Sequence, residues 1–247
     1  MKSLSLIALT WTLVASQICE AQDSLFNYTP PVSLDSLDEL NLWATEYYVH
    51  RTTSQGTIPY LTDEGDTLGY FSDTCDFCTA CLEGTVFIED SILARVVLNY
   101  SSRSSEALVN CRTCDLYKNS TLRVESWGTV RWKLSSGFGE GVKNYALVPY
   151  RTIAVDPSVI PYGSVIFIPA AIGVEIPRND GSSFTHDGYF FAGDTGGAIK
   201  KNHIDVFTGV DDSHPFEFVK SSHKYTYPTY LITDEEIIEQ LTQLHLR

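Results

Sequence analysis

Positive charge is scarce in this chain, which has 17 lysines and arginines against 31 aspartates and glutamates, giving a formal net charge of −14. A nucleic-acid-binding protein needs a basic surface to neutralise phosphates, so this composition excludes that class. The same acidity argues against electrostatic docking on anionic membranes or anionic wall polymers. Repeats and low-complexity tracts are also absent, and hydrophobic residues make up 43% of the chain, which excludes wholesale disorder.

Hydrophobic runs of transmembrane length are missing as well. The stretch at residues 4–15 is mostly apolar and follows Lys2, but it is too short to span a bilayer. Its length and flanks are typical of a signal peptide, with cleavage after Ser16 or after Ala21; a buried N-terminal helix is the alternative. We therefore predict a signal peptide over residues 1–21 and a soluble mature protein that is secreted, periplasmic or extracellular.

The six cysteines fall into a pattern that depends on the compartment; they are Cys19, Cys75, Cys78, Cys81, Cys111 and Cys114. In a cytosolic protein, two groups with Cys-x-x-Cys spacing would indicate zinc. In an exported protein the default is disulfides that tie the two groups together. We predict disulfides among the five cysteines from Cys75 to Cys114, and no metal. Cleavage after Ala21 leaves one cysteine unpaired, whereas cleavage after Ser16 leaves an even number.

Glycine, proline, tyrosine and phenylalanine are plentiful, which favours a turn-rich, mainly β protein. Residues 22–42 are interpreted as a linker and a short helix, because Ser36-Leu-Asp-Glu39 fits a capping box. A first barrel strand is predicted over residues 43–49. Residues 50–145 form a cysteine-containing, β-rich insertion, with strand candidates at Thr85–Glu89, Arg95–Tyr100 and Val130–Leu134.

Residues 146–232 contain short β-rich runs separated by proline and glycine at turn-like spacing. The runs are Arg151–Val155, Ser164–Pro169, Gly188–Asp194, Ile204–Thr208 and Thr226–Ile232. This spacing leaves no room for helical crossovers, so it predicts a small closed or nearly closed β-barrel. Residues 233–247 follow as a C-terminal helix, because Thr233-Asp-Glu-Glu236 fits a capping box before an apolar stripe. We expect this helix to pack on the barrel, with partner binding as the alternative.

Three aspartates have contexts that favour chemistry. Asp156 follows one predicted strand, Asp194 ends another, and Asp205 lies inside an apolar strand. Burying such a carboxylate is costly unless it is paired or neutral, and burial raises its pKa toward the range that suits a general acid. His203, Asp205 and Phe207 share one strand face, an arrangement that resembles a sugar subsite. A structural role for these carboxyl groups is the alternative.

The run Asp194-Thr-Gly-Gly-Ala-Ile-Lys200, followed by Ile204-Asp-Val-Phe207, closely resembles the signature of the 3D domain, named for three aspartates. Residues 151–164 resemble the first aspartate segment of that domain, and Trp43-Ala-Thr-Glu-Tyr47 resembles its opening strand. The strong match covers residues 147–209. The resemblance implies a double-psi β-barrel, a fold shared with membrane-bound lytic transglycosylase A and, more distantly, with expansins and barrel endoglucanases.

The resemblance also implies roles for individual residues. Asp205 matches the aspartate that acts as sole acid and base in the transglycosylases. Asp194 matches the aspartate that orients the site or stabilises positive charge on the sugar, and Asp156 matches a mainly structural one. The supporting or substrate-binding residues would be Tyr47, Thr195, Gly196, Gly197, Lys200 and His203. The two glycines would let a ligand approach the backbone closely.

The function implied by the resemblance is cleavage of β-glycosidic bonds of peptidoglycan by lytic transglycosylation, without a cofactor and by a monomer. The alternatives are a non-catalytic, expansin-like polysaccharide-binding module and a glycoside hydrolase of the barrel endoglucanase type. Two departures from the family pattern stand out. Lys201 occupies the position of the usual glycine, and Cys19 has no lipobox before it, which argues against a lipid anchor.

Overall fold

The computed structural model describes residues 26–91, 94–178, 181–210 and 214–246. The predicted signal peptide and Cys19 lie outside these ranges. The strands are β1 (Asp38–Tyr47), β2 (His50–Thr52), β3 (Ile58–Leu61), β4 (Thr67–Ser72), β5 (Thr85–Ser91), β6 (Ala94–Arg103), β7 (Val130–Ser135), β8 (Thr152–Ala154), β9 (Val165–Phe167), β10 (Glu175–Pro177), β11 (Ser183–Thr185), β12 (Tyr189–Asp194), β13 (His203–Phe207) and β14 (Tyr227–Leu231). The helices are α1 (Thr74–Glu83) and α2 (Glu235–His245).

Six strands close into a barrel in the order β1-β13-β8-β12-β9-β14. The pairing is mixed: β1 is parallel to β13 and antiparallel to β14, and β8 is parallel to β12 and antiparallel to β13. Alternate apolar side chains fill the interior, among them Ile153, Phe190, Ile204 and Val206, all without solvent exposure. The closed barrel and the mainly β architecture confirm the predicted fold class.

The prediction of a short helix near Ser36–Glu39 is wrong. Strand β1 begins at Asp38, and residues Asp38 to Leu42 pair in antiparallel register with β14. Leu40 and Leu42 alternate onto the barrel side, where Leu42 is fully buried. The local capping signal is overridden because the edge of β14 offers backbone hydrogen bonds that close the barrel, and a short isolated helix has no comparable gain.

The insertion has its own sheet and its own apolar core. Strands β2, β5, β6 and β7 form a four-stranded sheet, β3 and β4 form a hairpin, and α1 packs nearby. The observed strands β5, β6 and β7 contain the three runs predicted from sequence. A cluster around Tyr60, Phe77 and Trp132 fills the space between these elements. A second cluster, Val49, Phe87, Val97, Leu147 and Phe207, joins the insertion to one end of the barrel.

Two disulfides tie α1 to the 3-10 turn at Cys111–Thr113 and its following residue. They join Cys75 to Cys114 and Cys78 to Cys111, which confirms the predicted cross-links between the two cysteine groups. Cys81, the remaining disulfide candidate of the five, is not cross-linked: its thiol is free and buried. The three-residue spacing places all three helix cysteines along one face, but the opposing segment supplies only two partners. Burial raises the pKa of the Cys81 thiol.

Helix α2 packs on the barrel, as predicted. Its N-cap is Asp234, whose carboxylate accepts hydrogen bonds from the backbone N–H groups of Glu236 and Ile237. Leu241 and His245 are fully buried, and the His245 ring stacks on Phe191 of β12 at 4.1 Å. Within the described residues, neither helix has the length and apolar character needed to cross a membrane.

Reduction of both disulfides is expected to loosen the insertion before the barrel. The bonds close loops with sequence separations of 39 and 33 residues, each worth about 3–4 kcal/mol by loop-closure entropy, with the nested second bond adding less. Hydrogen-exchange mass spectrometry should show faster exchange in β5, β6 and β7 after reduction, while β8, β12 and β13 keep their protection. Loss of protection in barrel and insertion at the same reductant concentration would contradict this order.

Candidate active site

Asp194 and Asp205 are brought together by β8, the strand that lies between their own strands. Ala154 on β8 is the register partner of both Asp194 on β12 and Asp205 on β13, and a bulge before Asp194 sets this register. Register partners project to the same face of a sheet, and neighbouring strands lie about 4.8 Å apart, so the two Cα atoms are roughly 10 Å apart. The small side chain of Ala154 leaves the space between the two carboxyl groups open.

Strand β1 supplies a hydroxyl group to each carboxylate. Thr45 Oγ1 donates to Asp205 Oδ1 at 2.6 Å, and the Tyr47 hydroxyl donates to Asp194 Oδ2 at 2.6 Å. The backbone N–H of Thr195 also donates to Asp194 Oδ1, at 2.8 Å. Thr45 and Tyr47 can act together because alternate residues of a strand share one face. Tyr47 was predicted from sequence as a supporting residue, whereas Thr45 was not, although the period of two along β1 pointed to it.

Burial raises the pKa of both aspartates. Burial raises the pKa of Asp205 to about 7, with the hydrogen bond from Thr45 opposing the rise and the charge of Asp194 adding to it. Burial raises the pKa of Asp194 to about 6, against the hydrogen bonds from Tyr47 and from the Thr195 backbone. At neutral pH Asp205 is therefore protonated in a large fraction of molecules, while Asp194 is mostly ionised. The cleft therefore holds a protonated acid, Asp205, beside a negatively charged carboxylate, Asp194.

Both aspartates line a cleft of about 660 Å³ between the barrel and the insertion. The barrel side includes Tyr47, Ala154, Asp194, Thr195, Gly196, Gly197 and Asp205; the insertion side includes Glu83, Asn99, Tyr100 and Glu140. A Cβ atom added at Gly197 would meet nothing within 4 Å, so open space lies beside the backbone at this position. At Gly141 a Cβ atom would clash with the carbonyl oxygen of Gly193. Because glycine has no side chain, the backbone at Gly141 can pack directly beside Asp194.

His203 lies behind the site instead of on the cleft. Its ring is buried, stacks on Trp43 with centroids 3.6 Å apart, and lies with Nε2 2.9 Å from Thr45 Oγ1. Burial lowers the pKa of His203, so the ring is neutral at neutral pH. The shared strand face was predicted correctly, but His203 reaches Asp205 only through Thr45 and does not form part of the cleft wall.

Asp156 and Lys200 are also outside the cleft wall. Asp156 accepts hydrogen bonds from the backbone N–H of Lys201 at 2.7 Å and from Ser158, and these bonds lower its pKa to about 2. It thus ties the turn after β8 to the loop that follows Asp194. Lys201 has a left-handed backbone conformation with φ 58°, which explains why a glycine is usual at that position. Lys200 is exposed and faces Asp156.

No group of three or more histidine, cysteine, aspartate or glutamate side chains in the described ranges is arranged to hold a metal ion. The chemistry offered by the cleft residues themselves is proton transfer and charge stabilisation. A partly protonated carboxyl group can donate to a leaving oxygen, and a nearby carboxylate can stabilise positive charge that develops in the substrate.

Comparison with known proteins identifies a domain within this chain and structures of similar fold. Residues 151–215 match the family model described as the 3D domain, which confirms the recognised signature. The membrane-bound lytic murein transglycosylase of Agrobacterium tumefaciens has a similar structure, with a TM-score of 0.51 and 13% identity over 82% of this chain and 78% of that one. Escherichia coli MltA with bound chitohexaose gives a TM-score of 0.49 and 18% identity over 77% of this chain and 71% of that one. No curated protein sequence matches this chain. At these identities the structural similarity establishes the fold alone.

Proposed function

We propose that this protein is an exported carbohydrate-active enzyme that cleaves β-glycosidic bonds of peptidoglycan by lytic transglycosylation, with Asp205 as both acid and base. The observation that carries the proposal is the carboxyl group of Asp205, held by Thr45 on a cleft wall with a pKa of about 7. A group that must first give and then accept a proton works best when its pKa is near the working pH.

The reaction runs in two proton transfers. Protonated Asp205 donates to the glycosidic oxygen, the bond between that oxygen and the anomeric carbon breaks, and the leaving chain departs as an alcohol. The ionised Asp194 stabilises the positive charge that develops on the sugar. The Asp205 carboxylate then removes the proton from the hydroxymethyl group of the same sugar. The hydroxymethyl oxygen bonds to the anomeric carbon and closes an anhydro ring, so Asp205 is restored and no water is consumed.

The comparisons support this reaction class. The 3D-domain match covers the segment that contains all three aspartates, Asp156, Asp194 and Asp205. The protein of similar fold from A. tumefaciens carries the name of a lytic murein transglycosylase. Export is supported by the two disulfides, because such bonds persist in oxidising compartments outside the cytosol, and by the signal-peptide pattern at the N-terminus.

Hydrolysis is the second candidate, because the cleft contains more than one carboxyl group and hydrolases generally use two. Mass spectrometry of the products from purified peptidoglycan and from cellulose separates the alternatives. Transglycosylation gives anhydro ends that are lighter by one water than the reducing ends produced by hydrolysis. A binding module of the expansin type gives no new ends. Reducing ends in water, or no cleavage at all, would refute transglycosylation.

The pH profile is expected to be bell-shaped, with an optimum that is mildly acidic to neutral. Turnover requires an ionised Asp194, so the rate should fall on the acid side of its pKa of about 6. Turnover also requires a protonated Asp205, so the rate should fall on the alkaline side of its pKa of about 7. The negative charge of Asp194 raises the pKa of Asp205, so Asp194→Asn should move the alkaline limb to lower pH and reduce turnover. The measurement is kcat/KM against pH for both proteins. An alkaline limb that stays in place in a folded variant would make Asp194 a structural residue.

A further inference from the structure

Glu83 lies on the insertion side of the cleft and has no part in the reaction proposed above. It is the last residue of α1, and Gly84 in the left-handed conformation, with φ 79°, turns the chain immediately after it. The side chain is half-buried and lines the same cleft as Asp194 and Asp205. The disulfide-fixed helix therefore presents a further carboxyl group to the proposed reaction site.

Few favourable partners surround this carboxyl group. Within the described part of the chain, Glu83 accepts one hydrogen bond, from the backbone N–H of Tyr48 at 3.4 Å, which is long for such a bond. The cations of the cleft are engaged elsewhere: Lys133 donates to Glu140 Oε2 at 2.6 Å, and Arg103 donates to the carbonyl oxygen of Ser126. An ionised carboxylate in this position would be poorly compensated.

The ionisable groups that line the cleft with Glu83 or interact with it come from both sides of the cleft. They are Glu46, Tyr47 and Tyr48 from β1 and the residue after it; Asp194 and Asp205 from the barrel; and Cys81, Tyr100, Arg103, Tyr117, Lys133 and Glu140 from the insertion. Most are neutral or acidic. Burial raises the pKa of Glu83 to about 8, with the Tyr48 hydrogen bond opposing the rise and the charge of Asp205 adding to it. The neutral acid is therefore the main form at neutral pH.

We propose that Glu83 is a substrate-contacting residue whose carboxylic acid group donates a hydrogen bond to the bound glycan, opposite Asp205. A neutral carboxyl group both donates and accepts, whereas a carboxylate only accepts. Sugar ring oxygens, bridging oxygens and acetamide carbonyls need donors, and the insertion side of the cleft meets this need through Glu83. The inference rests on the proposed function in taking the ligand to be a glycan, but it does not depend on which bond-breaking reaction follows.

Binding of chitohexaose, a soluble and uncharged β-linked hexamer, tests this role without catalysis. Affinity is measured by calorimetry in the full-length Asp205→Asn protein, alone and with Glu83→Gln or Glu83→Ala added. Well below pH 8, the glutamine variant keeps a donor of similar shape and should bind within about threefold of its parent, while the alanine variant should bind about tenfold more weakly. Glu64→Gln, at an exposed turn of the insertion outside the cleft, is the matched control and should change nothing.

The pH dependence gives a signature that a merely structural role would not produce. Asp205→Asn removes a charge that adds to the rise in the Glu83 pKa, so in this background Glu83 should ionise at a lower pH than with Asp205 present. Well above pH 8, ionisation removes the donor, so the Asp205→Asn protein with Glu83 intact should weaken to the affinity of the alanine variant, while Glu83→Gln holds its affinity. Equal affinity of the alanine variant and the Asp205→Asn protein with Glu83 intact well below pH 8, or no binding of the hexamer at all, would overturn the inference. The inference would also be overturned if Glu83→Gln, made in the protein that keeps Asp205, lost as much kcat as Asp205→Asn does. Glu83 would then be a proton-transferring group. Retained binding without any cleavage would instead refute the proposed reaction and leave this inference standing.

Discussion

Asp205→Asn is expected to lower turnover by a factor on the order of 10²–10⁴ while leaving the fold intact, because the amide keeps the shape but has no proton to transfer. Thr45 retains a hydrogen-bond acceptor on the amide oxygen, so the geometry of the cleft wall should persist. Turnover is measured by release of soluble products from peptidoglycan, with folding checked by circular dichroism. The matched control is Asp115→Asn, whose side chain is 90% exposed. An unchanged rate in the Asp205 variant would remove this residue from the mechanism.

Asp205→Asn is also expected to change how the stability of the folded chain depends on pH. The pKa of Asp205 is about 7 in the folded chain against an ordinary value of 3.8, so the native state binds a proton more tightly than the unfolded chain. The resulting stabilisation is fully present below the unfolded pKa and is lost as pH rises through the folded pKa. Asp205→Asn lacks this dependence. Its melting temperature relative to the original protein should therefore increase as pH rises from about 4 to about 7.

Asp187→Ala is expected to destabilise the barrel by about 3–5 kcal/mol, because it leaves a buried guanidinium without its counter-charge. Arg151 has no exposed surface and forms a two-pronged contact with Asp187, at 2.7 Å to Oδ1 and 2.9 Å to Oδ2. The Arg151 guanidinium also lies 4.2 Å from the centre of the Phe26 ring. Urea unfolding gives the free-energy difference. A loss below about 1 kcal/mol, the range of exposed ion pairs, would contradict the prediction.

Two further variants show whether the loss comes from the uncompensated charge. Glu125→Gln breaks the pair of Arg112 and Glu125 on the insertion surface, where the Glu125 side chain is 61% exposed, and should cost about 1 kcal/mol or less. Adding Arg151→Met to Asp187→Ala removes the stranded cation and should recover part of the lost stability. A double variant less stable than Asp187→Ala would indicate that packing of the arginine side chain, and not its charge, dominates.

Several features followed directly from local sequence. The runs around Asp194 and Asp205 indicated strands because an apolar run ends at Asp194 and apolar residues flank Asp205, and the structure has strands β12 and β13 there. The last helix was predicted because its cap and apolar stripe lie within about four turns of one segment. The disulfides between the two cysteine groups followed from spacing and compartment. These signals are short in range, so one stretch of sequence contains all of the information.

Other features depended on contacts between residues far apart in the chain. Residues 38–42 became a strand because β14, nearly two hundred residues away, supplied the hydrogen-bonding edge. Thr45 meets Asp205 only through the parallel register of β1 with β13, and Glu83 reaches the cleft only through the packing of the insertion against the barrel. Sequence alone determined which carboxyl groups sit in apolar strands. Tertiary structure decided which groups face them, because strand register and the placement of an insertion arise from pairing and burial across the whole chain.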